Sequence, residues 1–371
     1  MHEISVDELK RRLESGAAVT VVDVRERPEH EAWSIHGSVN LPAYDSLRAG
    51  RDEPLRSQAA SLPAGRPVVA VCKAGVISRR AAATLAQLGF EAASLSGGMR
   101  AWGGVWTEAS MPLETAGAVG VQVRRNGKGC LSYLLASQGE AVVVDPSVDV
   151  AAYLAIAARL GATIRAVVET HVHADHLSRA RALAEATGAA LHLPANDRAR
   201  FAFTPVRDGD AIAVGALRLT AVATPGHTLE STCYRVDDSN LLTGDTVFVG
   251  GFGRPDLERG DAGAGEAARL LHRSLTRRLR ALPPAMRAWP AHHAHPVALD
   301  GVPVHTRLGE ALDGIEALAM DEESFARSVA EALPPKPPNF QVVLAVNEGR
   351  APLGELDPLD LEAGPNRCAA R

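Results

Sequence analysis

Cysteine is scarce in this 371-residue chain. Cys72, Cys130, Cys233 and Cys368 are the only four, and they are scattered without a pairing pattern. That excludes a disulfide framework and fits free thiols in a reducing cytoplasm, the expected location. Long hydrophobic runs are also missing, and none approaches the ~18 residues of a membrane span. Basic blocks are absent and the net charge is −5, so neither nucleic acid nor a membrane is expected as a partner. The opening Met1-His2-Glu3-Ile4-Ser5-Val6-Asp7-Glu8 is polar and acidic, without the basic and apolar regions of a secretory signal.

What the chain does have is an ordinary globular balance, 46% hydrophobic and 22% charged residues, at a length that calls for two domains. Its densest feature is Thr170-His171-Val172-His173-Ala174-Asp175-His176. Arg165 to Val168 before it read as a buried strand, and Leu177 to Ala186 after it as a helix ending at Gly188. Three imidazoles and a carboxylate on one strand-to-helix loop point to a metal site, imidazole being the commonest side-chain metal ligand.

The first hundred residues alternate strands and helices. The sequence predicts a helix over residues 7–15 capped by Asp7, strands at Val19–Val24, Pro67–Val71 and Ala93–Leu95, and a helix from Arg79 to Gly89. This is α/β order with a parallel sheet expected. Cys72 falls where a strand ends and a helix is about to begin. Backbone N–H groups and the helix dipole there favour a thiolate, against the plainer reading of a buried structural cysteine. Val22-Asp23-Val24-Arg25-Glu26, Ile35-His36-Gly37-Ser38, the Cys72 loop and Leu95-Ser96-Gly97-Gly98-Met99-Arg100-Ala101-Trp102 together resemble a rhodanese domain. The resemblance implies a loop cysteine, Cys72, that carries sulfane sulfur as a persulfide. One position departs from the pattern: the family's loop arginine is replaced by Ile77, with Arg79 and Lys73 as the nearby cations. A non-catalytic docking role for this domain is therefore the competing reading.

Gly103 to Gly117, Gly-rich and containing Pro112, reads as a linker. It divides the chain into residues 1–112 and residues 113–371, the second with a C-terminal tail containing the extended, proline-rich Pro334 to Phe340. In the second part, strands are expected at Val121–Val123, Leu131–Leu135 and Ala141–Asp145, with a turn at Asn126-Gly127. Further chemistry-bearing residues end later strands: His227 in Thr224-Pro225-Gly226-His227-Thr228, Asp245 in Thr243-Gly244-Asp245-Thr246, and His292 in Pro290-Ala291-His292. With His171, His173, Asp175 and His176 they suffice for one or two metal ions.

This ordered set resembles the metallo-β-lactamase fold, and within it the glyoxalase II and persulfide dioxygenase branch. The resemblance implies an αββα domain after the α/β rhodanese-like one. In the dioxygenase branch it implies one Fe(2+) per chain on His171, His227 and Asp245. His173, Asp175, His176 and His292 then support the ligands or form a second metal position. The glyoxalase II alternative uses two Zn(2+) and a bridging hydroxide against a thioester. The rhodanese-like partner domain favours the dioxygenase, as does the Gly253-Arg254-Pro255-Asp256 loop, which resembles the Gly-Arg-x-Asp loop of that branch and implies Arg254 as a substrate contact. On that reading the partners are a small-molecule persulfide such as glutathione persulfide and O2, the products are sulfite and thiol, and the chain is compatible with a homodimer.

Overall fold

The structure, a computed structural model, describes residues 2–364 and 367–370. The first domain is a five-stranded parallel sheet in the order Glu3–Ile4, Ala92–Leu95, Val68–Val71, Thr20–Asp23 and Val39–Asn40. Its central strands are buried on both faces, as β-branched runs between helices require. The first helix runs Val6–Glu14, one residue earlier than expected. Ser5, not Asp7, caps it, its hydroxyl accepting from the Glu8 amide at 3.1 Å.

Thr107–Met111, read from sequence as linker, is a strand. It pairs antiparallel with Val119–Arg125 and forms the edge of the second domain's first sheet. Thr107, Ala109 and Met111 are buried while Glu108 and Ser110 are more exposed, the period of two that the surrounding glycines obscured.

That sheet has seven strands, ordered Thr204–Val206, Ala190–Pro194, Thr163–Val168, Glu140–Val144, Cys130–Ser137, Val119–Arg125 and Thr107–Met111. A six-stranded sheet faces it: Ala211–Val214, Leu217–Ala223, Thr232–Arg235, Asn240–Gly244, Arg287–Pro290 and Thr306–Arg307. Tyr133, Leu135, Val142 and Val168 from the first sheet meet Leu219, Tyr234, Leu242 and Trp289 from the second in one buried cluster. The outer faces are covered by helices: Val150–Arg159 and Ala180–Thr187 on one side, Gly260–Arg273 and Glu322–Glu331 on the other. The architecture is therefore an α/β domain with a parallel sheet followed by an αββα sandwich, the order expected from the sequence.

The helix expected from Leu177 starts at Ala180, so residues 177–179 extend the histidine loop. The helix Gly260–Arg273 passes into a π-helical turn at Ser274–Leu279. Among the described residues, no helix is long and apolar enough to cross a membrane.

The C-terminal segment is tied across both domains. Glu362 pairs with Arg125 at 2.7 Å, and both side chains are buried. Burial opposes the charge on Glu362, but Arg125 and Arg179 hold its carboxyl below the ordinary range. A carboxyl so depressed stabilises the fold above its unfolded value, ~4.3, and that stability is lost as pH falls through the folded value. Thermal unfolding followed from pH 6 to pH 3 should therefore show a steeper loss below pH ~4.3 in the native chain than in Glu362→Gln.

Candidate metal centre

Strand directions explain why distant residues meet. Leu217–Ala223 and Asn240–Gly244 each lie antiparallel to Thr232–Arg235, and Arg287–Pro290 runs parallel to Asn240–Gly244. Their C-terminal ends thus share one edge of the sheet, and His227, Asp245 and His292 follow those ends. The histidine loop follows Thr163–Val168 of the facing sheet.

His171 Nε2 lies 3.7 Å from Asp245 Oδ2, and His227 Nε2 lies 3.5 Å from the same oxygen. Ligands ~2.1 Å from a common ion stand ~3–3.5 Å apart, so these three atoms nearly fit one ion. Each is aimed by a partner on its other side. The Thr170 hydroxyl donates to Asp145 at 2.8 Å, so its oxygen accepts from His171 Nδ1 at 3.0 Å. His227 Nδ1 donates to the Arg254 carbonyl at 2.8 Å. Both rings therefore carry their proton on Nδ1 and turn a lone pair at Nε2 toward the centre. Asp245 Oδ1 is held by His292 Nδ1 at 2.6 Å, which leaves Oδ2 for the centre. His171 Nε2 and Asp245 Oδ2 are buried with no hydrogen-bond partner. Two orphaned acceptors in one dry place are costly unless a cation satisfies them. Burial, then neighbouring imidazoles, hold His171 well below its ordinary value, and burial lowers His227, so both rings are neutral as ligands require. The donor set fits a metal ion.

His173, expected beside the three ligands as support or as part of a second position, stands in a separate group with Asp145 and Glu169. His173 Nε2 lies 3.2 Å from Asp145 and 3.2 Å from Glu169. Burial opposes a charged ring there, but the two carboxylates outweigh it and push His173 well above its ordinary value. Asp175, His176 and His292 form a second group together with Cys130. His292 Nε2 lies 3.0 Å from Asp175, His176 Nδ1 lies 3.0 Å from the other oxygen of Asp175, and Cys130 Sγ approaches Asp175 at 3.7 Å. Burial raises the Cys130 thiol's value, but the His176 and His292 imidazoles overcome this and bring it to about 7.

Sequence reasoning missed Cys130, Asp145 and Glu169. Asp145 did carry a signal, a carboxylate at a strand end, and its backbone adopts φ +51° to aim it. Cys130 carried none, because its place beside His292 comes from a bridge between residues 162 positions apart.

Arg254 is buried, and every guanidinium nitrogen has a protein partner: Asp256 at 2.6 and 2.9 Å, the Pro335 carbonyl at 2.9 Å and the Arg367 carbonyl at 3.3 Å. What it offers the centre is its own carbonyl, on His227. Beside it, Gly253 has no room for a side chain: a Cβ there would sit 2.0 Å from the Asp245 carbonyl and 2.8 Å from His227 Cγ. Gly253→Ala should push both residues out of place and weaken metal binding ~10–100-fold, the usual cost of disturbing a ligand's support, read by metal titration of the apo chain.

In the first domain, Cys72 is buried, and the Ser78 amide donates to its sulfur at 3.3 Å. The helix Val76–Gln87 begins beside it, three residues earlier than expected. Lys73 and Arg79 are engaged with Glu29 and Glu3, and Ile77 packs against the hydrophobic core.

Fold and centre together define a two-domain metalloprotein of α/β and αββα parts. The metallo-beta-lactamase superfamily model matches residues 125–292, and the rhodanese-like domain model matches residues 5–104. Hydroxyacylglutathione hydrolase of Methylobacillus flagellatus is 33% identical over 221 residues, 58% of this chain and 80% of that protein. The chain spans about half, 51%, of the length of the Anaeromyxobacter dehalogenans protein of the same name. Human mitochondrial persulfide dioxygenase ETHE1 is 27% identical over 220 residues, 58% of this chain and 82% of that one. The crystal structure of ETHE1 from Myxococcus xanthus superposes with a TM-score of 0.55 at 30% identity, over 62% of this chain and 97% of that chain. The chain belongs to the metallo-beta-lactamase superfamily, with a rhodanese-like domain ahead of the metal-binding one.

Proposed function

We propose that this chain is a persulfide dioxygenase that oxidises glutathione persulfide, or a similar low-molecular-weight persulfide, to sulfite and thiol. The observation that carries the reading is the grouping of two histidines and one carboxylate, His171, His227 and Asp245, around one point, while His173 stands in a separate group with Asp145 and Glu169. That donor set, two histidines and one carboxylate, is the one suited to Fe(II), and these residues would hold one per chain. Held there, Fe(II) would supply open positions at which O2 and a persulfide sulfur meet.

The rest is the work of the chain's own residues. Thr170 and the Arg254 carbonyl fix the two imidazoles in one tautomer, and His292 holds Asp245 in one orientation. His292 also bridges Asp245 to Asp175, a place from which a proton can be given or taken near the reacting sulfur. The balance is R–S–SH with O2 and H2O giving R–SH, sulfite and two protons. The likeness to persulfide dioxygenase ETHE1 and the fused rhodanese-like domain support this reading.

The second group, Cys130, Asp175, His176 and His292, favours the alternative, a binuclear zinc hydrolase of a glutathione thioester, to which the hydroxyacylglutathione hydrolases lend likeness. Metal analysis of protein purified without added metal separates the two, with O2 uptake as the second readout. One iron per chain and O2 uptake that depends on added glutathione persulfide are expected. Two zincs per chain and thioester cleavage without O2 would overturn the proposal.

A further inference from the structure

Residues 169–179, the loop that carries the histidines, are neither helix nor strand, and all but the last two are buried. Their backbone polar groups therefore need partners from elsewhere in the fold. The two halves of the loop find them in different places. The first half is pinned from neighbouring strand ends: the Thr170 amide donates to Asp145 Oδ1 at 2.7 Å, and the Val172 amide to Glu230 Oε1 at 3.1 Å. The second half is pinned from the C-terminal segment. Asn347 Nδ2 donates to the His173 carbonyl and to the His176 carbonyl, each at 2.8 Å, and Asn347 Oδ1 accepts from the Ser178 amide at 2.9 Å. The Leu177 amide donates to Glu362 Oε1 at 2.7 Å.

Asn347 ends the helix Phe340–Asn347, and that helix backs the loop. Its Leu344 shares a buried cluster with Val172 and Ala174, and its Val343 and Val346 share another with Leu177. The apolar residues of the loop thus pack with the helix, while His171, His173, Asp175 and His176 belong to the donor groups. A short carboxamide suits this junction, because it offers two N–H donors and an acceptor on one stem, and all three are used. From there a continuous path leads to the ion. Asp175, which stands in the chain between the two carbonyls that Asn347 holds, has one oxygen 3.0 Å from His176 Nδ1 and the other 3.0 Å from His292 Nε2. The second nitrogen of that ring, His292 Nδ1, lies 2.6 Å from Asp245 Oδ1 and orients the ligand.

We propose that Asn347 is a positioning residue of the metal centre: its carboxamide sets the backbone of residues 173–178 and, through Asp175 and His292, aims the Asp245 carboxylate at the ion. The helix Phe340–Asn347 lies beyond residues 125–292, the span matched by the superfamily model, yet it is a working part of the centre. This role rests on the metal centre itself and not on which metal or reaction the centre serves.

The test loads the full apo chain with one equivalent of Co(II). Affinity is read by competition with a chelator, and coordination geometry by the visible absorption bands. Asn347→Asp keeps the shape and the acceptor for Ser178 but sets an oxygen against both carbonyls. Asn347→Ser withdraws the reach without adding a charge, and repeats the test if the first variant does not fold. Ile156→Ala, in a buried cluster that holds no residue of the loop, is the control for lost stability alone. Both Asn347 variants are expected to bind Co(II) at least ~10-fold more weakly, with shifted bands, as for other losses of a ligand's support. Ile156→Ala should unfold at a lower temperature with affinity and bands unchanged. In an Asp175→Asn chain the added Asn347→Ser should cost less than ~3-fold, because the path is already cut. Native affinity and bands in a folded Asn347 variant overturn the proposal, as does an equal loss in Ile156→Ala or full additivity with Asp175→Asn. Cobalt reads the site whether the native metal is iron or zinc, so failure here and failure of the dioxygenase reading are separate results.

Discussion

Replacing His227 by alanine is expected to remove the metal outright, while replacing His173 by asparagine leaves it bound. Both residues stand in the same ordered set, His227 expected on the ion and His173 as support or part of a second position. The geometry separates them. His227 Nε2 faces Asp245 at 3.5 Å with its Nδ1 anchored on the Arg254 carbonyl, so alanine deletes one of three converging donors. His173 lies between Asp145 and Glu169, and its loss acts on the centre only through Asp145, which orients Thr170 and through it His171. His227→Ala should thus retain less than a tenth of the native metal and lose at least ~100-fold in O2 uptake. His173→Asn should retain near-native metal and lose ~10–100-fold in rate, the cost of disturbing a ligand's support. Metal analysis and O2 electrode traces on the two variants check this. Equal metal loss in both would mean that His173 is itself a ligand and would favour the binuclear reading.

The same contrast shows how far the sequence carries. The convergence of His171, His227, Asp245 and His292 was legible because each ends a strand, and the C-terminal ends of parallel-running strands share an edge whatever the loops do. The αββα order was legible for the same reason, since apolar runs of strand length alternate with helical ones. Which groups stand beside His173 was not legible. They are two carboxylates, one of them on a neighbouring strand end and held at φ +51°, and no spacing rule reports their distance from an imidazole. Thr107–Met111 was hidden by the glycines and the proline around it, although its period of two was present. Arg254 was expected as a substrate contact from the resemblance of its loop; the loop is threaded inward, where Arg254 meets Asp256 and the segment near Cys368, and no spacing rule reports that.

That burial makes Arg254→Met the second large effect, on stability and not on substrate affinity. Asp256 is as buried as Arg254, and among the described residues its one other cation is Lys336, 3.7 Å away. Deleting one partner of a buried ion pair strands the other charge and costs ~3–5 kcal/mol. The Arg254 carbonyl survives the substitution, so His227 keeps its anchor and the metal remains while the chain is folded. Thermal unfolding should show a markedly earlier transition for Arg254→Met, with KM for the persulfide close to native below that transition. The double variant Arg254→Met with Asp256→Leu removes both charges and should recover most of the loss, because a buried pair replaced by apolar side chains of similar size is often neutral. A substrate contact would behave in the opposite way: KM would rise in Arg254→Met with stability unchanged, and Asp256→Leu would rescue nothing. The rescue therefore distinguishes an arginine that recognises substrate from one that holds the loop on which His227 depends.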